Sequence, residues 1–334
     1  MKAFVFSKYS KKAKLSLADL PKPHCKENEV LIQIYASGVN QLDSKIKSGE
    51  FKLILPYKLP LVLGHDVAGI VTEVGTAVTR FKAGDAVYSR PSDFKIGTFA
   101  EFIAVNENDA ALKPANISFE EAASIPLVAL TVWQAFVEVG QLKKGQKVFI
   151  QAGSGGVGTI AIQLAKHLGA TVATTTSASN FELVKRLGAD VVVDYKTQDF
   201  EDVLKDYDLV LNSQDSKTLE KSLHILKKGG RVISISGPPT PTFADEFNLP
   251  WYVKFATRLL SSKIRSKAKK LNVNYSFLFM KSSGAQLEEI AKLVESGAIK
   301  PIVDKVFPFE QTNEALEYLE NGRAKGKVVI SLKR

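Results

Sequence analysis

A glycine-rich turn, Gly153-Ser154-Gly155-Gly156-Val157-Gly158, limits the fold of this chain more than any other segment. It lies between a predicted strand, Val148 to Ala152, and a predicted helix, Val157 to Leu168. In that setting the first glycine permits a tight turn, Gly155 lets the backbone approach a pyrophosphate, and Gly158 lets helix and strand pack closely. The phosphates would meet the positive end of the helix. The turn therefore predicts a dinucleotide-binding Rossmann unit.

The predicted elements differ between the first third of the chain and the part that contains this turn. After residue 147 the predicted strands are separated by helical patterns, which is typical of parallel βαβ units; these strands are Thr171 to Thr176, Asp190 to Val193, Asp208 to Leu211 and Arg231 to Ser236. The first third instead has short strands with glycine turns, which indicate a barrel or sandwich. A capping box, Ser118 with Glu121, predicts a helix start between the two regions.

The end of the second Rossmann strand indicates which nicotinamide cofactor is bound. An acidic residue there would hold the ribose 2′-hydroxyl and favour NAD. Here the chain runs Thr174-Thr175-Thr176-Ser177-Ala178-Ser179-Asn180, whose hydroxyls can donate to a 2′-phosphate. The pattern favours NADPH, with Thr176, Ser177 and Asn180 as contacts, although these residues can also cap the next helix. We further predict cofactor contacts from Ser236 and Gly237.

A cluster of basic residues accounts for much of the formal net charge of +10. Between Trp251 and Lys270 there is no acidic residue, and the basic ones are Lys254, Arg258, Lys263, Arg265, Lys267, Lys269 and Lys270. One interpretation is a solvated basic helix face. Another is contact with an anionic membrane or polyanion, because Tyr252, Phe255 and Leu259 could form an apolar side. Nucleic acid has the least support, since no reading motif accompanies the charge.

The single cysteine, Cys25, bears on compartment and metal binding. One cysteine forms neither an internal disulfide nor a cysteine-rich metal site, so a reducing compartment is favoured. The first residues lack the apolar length of a secretory signal. The longest apolar stretch, 122–140, is interrupted by Pro126 and Glu138 and is predicted to be core. We expect a cytoplasmic protein.

Several motifs resemble the medium-chain dehydrogenase/reductase superfamily over essentially the whole chain. Besides the glycine turn they are Ala36-Ser37-Gly38-Val39-Asn40, Gly64-His65-Asp66-Val67-Ala68-Gly69, Val74-Gly75 through Gly84-Asp85, and Gly322-Arg323-Ala324-Lys325-Gly326-Lys327-Val328-Val329. The resemblance implies an α/β fold in which both chain ends form a GroES-like β-rich catalytic domain. A Rossmann domain, a doubly wound parallel sheet, is inserted in it. We expect residues 1–122 and 266–334 in the first domain and 123–265 in the second.

Zinc binding is not expected, despite its use elsewhere in this superfamily. The zinc alcohol dehydrogenases take their catalytic ligands from a cysteine in the first motif, a histidine in the second and a distant cysteine or histidine. Here Asn40 stands at the cysteine position, and only His65 remains. A zinc site needs three or four converging ligands. We therefore predict no metal, and a structural or cofactor-adjacent role for His65.

Within the superfamily, Asn40-Gln41-Leu42-Asp43-Ser44-Lys45 resembles a motif of NADPH-dependent quinone oxidoreductases and plant-type alkenal/enone reductases. The resemblance implies hydride transfer to a quinone or to the C=C bond of an α,β-unsaturated carbonyl, by a homodimer. Lys45 and Asn40 would stabilise the developing negative charge. It also implies cofactor contacts from Lys45, Thr131, Tyr195, Phe277, Phe279, Gly322 and Arg323. Relatives often have a lysine at the position that Asn180 occupies here.

Alternatives remain open at several of these positions. Lys45 could be an ordinary surface lysine, and Phe277 and Phe279 could serve core packing. The protein could instead be a zinc alcohol dehydrogenase, an enoyl-thioester reductase, or a non-catalytic NADPH-binding scaffold associated with a membrane. Metal analysis, an enoyl-thioester assay and a panel of electron acceptors distinguish these functions.

Overall fold

The structure, a computed structural model, describes residues 1–332. Its strands are β1 (Lys2–Phe6), β2 (Ser16–Asp19), β3 (Glu29–Val39), β4 (Leu61–Val62), β5 (Asp66–Val74), β6 (Ala86–Ser89), β7 (Phe102–Asn106), β8 (Ala110–Leu112), β9 (Lys147–Ile150), β10 (Thr171–Thr176), β11 (Val191–Asp194), β12 (Tyr207–Asn212), β13 (Leu226–Ser234), β14 (Asn274–Phe277), β15 (Val303–Pro308) and β16 (Lys327–Ser331). Its α-helices are α1 (Gln41–Ser48), α2 (Phe119–Ala123), α3 (Pro126–Trp133), α4 (Gly156–His167), α5 (Phe181–Arg186), α6 (Phe200–Val203), α7 (Ser216–Ser222), α8 (Pro241–Glu246), α9 (Trp251–Leu260), α10 (Ser262–Lys270), α11 (Gly284–Glu295) and α12 (Thr312–Glu320). None of the described helices is both long and apolar enough to cross a membrane.

The chain divides into two compact units, whose borders correct the predicted ones. The first unit is Met1–Leu130 with Lys281–Arg334, and the second is Thr131–Met280. The predicted domain 123–265 therefore starts too early and ends too early. Leu127 stays with the first unit, where its backbone N–H donates to Asp66 Oδ1 at 2.7 Å. The later border reflects β14, which follows the basic segment and pairs in parallel with β13.

The first unit is β-rich and takes strands from both chain regions. Its larger sheet has seven strands in the order β15-β16-β3-β5-β6-β8, with β7 also paired to β3, and β2-β1-β4 form a smaller sheet. The late strand β16 runs antiparallel to β3, with Val328 opposite Val39. This arrangement confirms the predicted GroES-like domain made from both chain ends.

The second unit is a six-stranded sheet in the order β11-β10-β9-β12-β13-β14. The paired strands run parallel throughout, which confirms the Rossmann prediction. The order reverses direction between β9 and β12, and ligands of such sheets bind outside the carboxyl ends of the strands at this point. The glycine turn follows β9 and so lies at that edge.

Local sequence explains several elements of both units. In α4 every residue from Gly158 to Ala165 is buried, so the helix is covered on all sides, as expected for its largely apolar sequence. The strand β9 is buried from Val148 to Ile150, as a central parallel strand must be. The capping box of Ser118 and Glu121 is present at the start of α2. The helical region that this box opens consists of α2, α3 and a π-helical turn, Gln134–Val139.

Candidate active site

The glycine turn begins with an unusual backbone conformation at the end of β9. Ala152 has φ of +52°, in the left-handed region that costs a residue with a side chain about 1–2 kcal/mol. The strained turn is held by neighbouring backbone, because Gly153 N–H donates to Thr175 O at 2.9 Å. It delivers the chain into α4, whose first N–H groups have no carbonyl within the helix. These donors and the helix dipole form a site for the phosphates of a dinucleotide.

Three of the four glycines of the turn, Gly153, Gly155 and Gly158, differ in whether packing requires the absence of a side chain. A Cβ on Gly153 would lie 2.1 Å from Thr174 Oγ1, and one on Gly158 would lie 2.3 Å from Ala152 O. Packing therefore requires both. A Cβ on Gly155 would meet only Ala152 O, at an ordinary 3.4 Å, and its φ of −82° suits any residue. Protein packing does not explain Gly155, whereas close approach of a pyrophosphate does.

Hydroxyl and amide groups from the end of β10 surround Ser154. Thr176 Oγ1 donates to Ser154 Oγ at 2.9 Å, and Asn180 Nδ2 donates to it at 3.2 Å. Ser177 Oγ and Ser179 Oγ lie 3.1 Å apart. The Oδ1 atom of Asn180 is buried without a hydrogen-bond partner among residues 1–332. The structure thus brings together the predicted 2′-phosphate contacts, and no carboxylate stands in the run 174–180.

A buried polar network supports the carboxyl ends of β12 and β13. Asn212 Nδ2 donates to Gln151 Oε1 at 2.7 Å. Beyond β13, Gly237 N–H donates to Ser234 Oγ at 2.8 Å and Ser236 Oγ donates to Gln214 O at 2.6 Å. Both predicted contacts, Ser236 and Gly237, are therefore held in a fixed loop.

The Tyr275 hydroxyl braces the same loop from β14. It donates to Pro238 O at 2.6 Å, and burial raises its pKa above the ordinary value, so it stays protonated. A Cβ on Gly237 would lie 2.8 Å from this hydroxyl oxygen. Tyr275 was not predicted, since its role depends on the pairing of β14.

The other residues of the second unit that we predicted to contact the cofactor lie in different surroundings. Tyr195 directly follows β11 and is 61% exposed, which leaves its ring accessible beside the end of β10. Thr131 is buried on α3. The rings of Phe277 and Phe279 pack on Phe243, with centroids 5.2 and 5.5 Å apart. Their side chains thus serve packing, and their predicted cofactor contact stays a prediction for the backbone.

In the first unit, Asp43 organises the start of α1. Its Oδ2 accepts from the Asn40 backbone N–H at 2.7 Å, and its Oδ1 lies 2.6 Å from His65 Nδ1. Both Asp43 and His65 are fully buried. The Nε2 atom of His65 has no hydrogen-bond partner in the described part of the chain. His65 is therefore oriented by a carboxylate, as expected for a structural or cofactor-adjacent residue.

A buried lysine that the sequence did not single out lies at the centre of the next network. Lys327, at the start of β16, directs its Nζ to Asn40 Oδ1 at 2.5 Å and to Asp66 Oδ2 at 3.1 Å. Asn40 Nδ2 also donates to Asp66 Oδ2 at 2.9 Å and to Gly38 O at 3.4 Å. The amide of Asn40 is thus fully engaged. In this structure both amide hydrogens are donated within the protein, and the predicted catalytic role of Asn40 stays a prediction.

The predicted catalytic and cofactor-binding roles of Lys45 stay predictions. This lysine lies half-buried on α1, and among residues 1–332 it forms no ion pair. The neighbouring Lys47 differs, since it is buried and its Nζ lies 3.1 Å from Glu320 Oε1. Gly322 and Arg323 lie in the exposed turn between α12 and β16, also in the first unit.

The described residues contain no group of three or more His, Cys, Asp or Glu side chains placed to hold a metal ion. His65 has Asp43 as its partner, and Asp66 is engaged by Lys327. Cys25 lies elsewhere, with its thiol donating to Glu29 O at 2.8 Å.

Replacing Gly155 and Gly158 by alanine in turn should separate ligand binding from folding. Gly155→Ala should change the free energy of unfolding by less than about 1 kcal/mol, because its Cβ meets only Ala152 O, at an ordinary contact distance of 3.4 Å. It should weaken dinucleotide binding about tenfold or more, a loss of about 1.4 kcal/mol. Gly158→Ala should cost about 1–3 kcal/mol of stability through overpacking against Ala152 O. Calorimetric titration and thermal melts measure the two effects. Unchanged cofactor affinity in Gly155→Ala would contradict the assignment.

Comparison with known proteins agrees with this geometry. Residues 26–115 match the alcohol dehydrogenase GroES-like domain family, and residues 187–330 match the zinc-binding dehydrogenase family. The mitochondrial NAD(P)H oxidoreductase RTN4IP1 of Danio rerio is 36% identical, over 99% of this chain and 91% of that protein. The chloroplastic NADPH-dependent alkenal/one oxidoreductase of Arabidopsis thaliana is also 36% identical, over 99% of this chain and 79% of that protein.

Solved structures show the same fold over the whole chain. The quinone oxidoreductase of Coxiella burnetii has a TM-score of 0.86 at 29% identity, covering 100% of this chain and 99% of that one. The Escherichia coli quinone oxidoreductase, complexed with NADPH, has a TM-score of 0.83 at 27% identity, covering 99% and 100%. The chain therefore belongs to the medium-chain dehydrogenase/reductase superfamily, in its zinc-independent branch of quinone oxidoreductases and alkenal reductases.

Proposed function

We propose that the protein is a zinc-independent, NADPH-dependent reductase of quinones or of the C=C bond of α,β-unsaturated carbonyls. The observation that carries the proposal is Gly155, a glycine that packing does not require, at the edge of a Rossmann sheet whose β10 end bears hydroxyls rather than a carboxylate. Relatives named for NADPH and for quinone or alkenal reduction, similar along the whole chain, support the same activity.

The residues of each unit have separate tasks in this reaction. NADPH supplies the hydride when it is bound. The N–H groups at the start of α4 bind its pyrophosphate, and the Ser177 hydroxyl, held beside Asn180, donates to its 2′-phosphate. Lys45 donates to the acceptor oxygen on which negative charge develops. The Asp43–His65 pair and the Lys327–Asn40–Asp66 network hold α1, and therefore Lys45, in position.

NADPH oxidation with a panel of quinones, alkenals, enones and enoyl thioesters tests the proposal. We expect turnover with quinones or enones, and an efficiency with NADPH about tenfold or more above that with NADH. One charge-assisted hydrogen bond to the 2′-phosphate, worth about 1.5–3 kcal/mol, accounts for such a preference. Activity should survive chelation. Four outcomes would each contradict the proposed function. They are equal efficiency with NADH, activity that chelation removes and zinc restores, a preference for enoyl thioesters, and cofactor binding without turnover.

We also propose that the chain acts as a cytoplasmic homodimer. The outer strand β14 supports the dimer, because a strand at the end of a sheet can pair with the same strand of a second copy. Light scattering of the purified protein measures the mass, and a monomer at micromolar concentration would contradict the dimer.

A further inference from the structure

Helix α9 presents a row of large apolar side chains to solvent. Trp251 is 79% exposed and Phe255 58% exposed. The full set, named here the α9 face, is Trp251, Tyr252, Phe255, Leu259 and Leu260. The residues at 251, 255 and 259 recur once per helical turn, and the buried residues of the helix are Val253 and Thr257 on its other side. Soluble proteins seldom leave such a contiguous apolar area uncovered without a partner for it.

The segment that contains the α9 face carries positive charge and no acidic residue. Residues 251–270, which cover α9 and α10, contain no Asp or Glu. Other elements neutralise part of the charge: Lys254 Nζ lies 2.9 Å from Asp245 Oδ1, and Lys263 and Lys267 share Glu220. In the described chain, Arg258, Lys269 and Lys270 form no ion pair, and all three are exposed. The segment 251–270 thus combines an exposed apolar helix face with exposed cations that form no ion pair in the described chain.

We propose that the α9 face docks on the surface of an anionic lipid bilayer. Tryptophan and tyrosine favour the membrane–water interface, where an apolar ring and a polar group are both accommodated. Amphipathic helices with basic flanks bind there through apolar burial and attraction to acidic headgroups.

A second copy of the chain is a poorer occupant of this face. A two-fold contact brings the same patch of both copies together. It would set Arg258 and the remaining cations of one copy against those of the other, with no acidic residue on α9 or α10 to pair with them. Like charges facing each other across an interface disfavour the complex. An anionic lipid surface neutralises the same cations.

Docking at a bilayer also specifies a substrate class for the reductase, and this consequence rests on the proposed function. Quinones and enones with long hydrocarbon chains partition into membranes. An enzyme held at the headgroup level meets them at a far higher local concentration than one in free solution. We therefore expect vesicle-borne, long-chain acceptors to be reduced faster than the same compounds in detergent-free buffer.

Co-sedimentation with vesicles tests the docking without any need for catalysis. The full chain should bind vesicles of phosphatidylcholine mixed with phosphatidylserine at low salt, and bind less as salt screens the charges. Each basic residue near the surface contributes about fivefold in affinity. The triple variant Arg258→Gln/Lys269→Gln/Lys270→Gln should therefore bind about a hundredfold more weakly. Lys8→Gln/Lys11→Gln/Lys12→Gln, with the same change of net charge at exposed lysines of the first unit, should bind almost normally.

A second variant tests the contribution of the apolar side chains of the α9 face to vesicle binding. Trp251→Ser/Phe255→Ser/Leu259→Ser should lose vesicle binding while keeping its oligomeric state and its turnover of a water-soluble quinone. Absence of wild-type binding at low salt, or equal losses in both charge variants, would overturn the proposal. A change from dimer to monomer with vesicle binding intact would assign the face to a second copy. If no acceptor is reduced but vesicles are bound, the proposed function fails and the docking stands.

Discussion

The Lys45→Met variant should turn over about 100 to 1000 times more slowly than the wild-type enzyme, with little change in NADPH affinity. Loss of one preorganised donor to a developing negative charge costs about 2.7–4 kcal/mol in the transition state. Methionine keeps the length and the helix preference of the side chain but removes the charge. Since the interaction forms only in the transition state, kcat and kcat/KM should fall together. Steady-state kinetics and cofactor titration measure the two quantities.

Lys47 on the same helix provides the matched control. Its ammonium is occupied by Glu320, so Lys47→Met should lower stability and leave kcat nearly unchanged. Two outcomes would contradict the role of Lys45. If Lys45→Met raises only the KM for NADPH, the lysine is a uniform cofactor contact. If neither parameter changes, it is a surface lysine.

Replacing Lys327 by methionine should destabilise the first unit by about 3–5 kcal/mol, because Asp66 would be left as a buried charge without its cation. The change should spread along β16 and β3, which meet beside this lysine. Both tryptophans, Trp133 and Trp251, belong to the second unit, so their fluorescence reports little on this loss. Hydrogen exchange measured by mass spectrometry at the amides of β3 and β16 is the appropriate measurement.

Lys325, exposed two residues earlier, is the control for Lys327. Lys325→Met should stay within about 0.5 kcal/mol of the wild type. The double variant Lys327→Met/Asp66→Asn should lose less than the sum of the single changes, because the two groups interact directly. Additive losses, or unaltered exchange in Lys327→Met, would show that the buried pair does not hold the strands together.

Much of the fold is predictable from local sequence. Periods of two and 3.6 residues separate the strands of the Rossmann unit from its helices, and the predicted strand Thr171 to Thr176 is the observed β10. The glycine turn is predictable because its residues are contiguous and each glycine has a local reason. Short segments with few apolar residues, such as β14, carry no comparable signal. Its membership in the sheet follows from pairing with β13 rather than from its own composition.

The candidate site of the first unit is harder to predict because it is assembled from distant segments. Asn40, Asp66 and Lys327 meet only when β16 pairs with β3. The sequence places Asn40 in a motif but does not show that its amide is already occupied. A lysine within an otherwise apolar strand, Lys327 before Val328 and Val329, was the signal that could have identified the network.

The pairing of β16 with β3 has a consequence for how the protein is made. The inserted unit is one continuous segment, so a ribosome releases all of it before β15 and β16 emerge. Domains generally fold as units during synthesis. The inserted unit can therefore fold before the first unit is complete. Until then, part of one edge of β3 lacks its partner strand, because Val328, which lies opposite Val39, follows it in the chain by some 290 positions. The nascent chain thus holds an apolar strand with part of one edge unpaired, although β5 and β7 already pair with it, and that open edge needs protection from aggregation until β16 emerges.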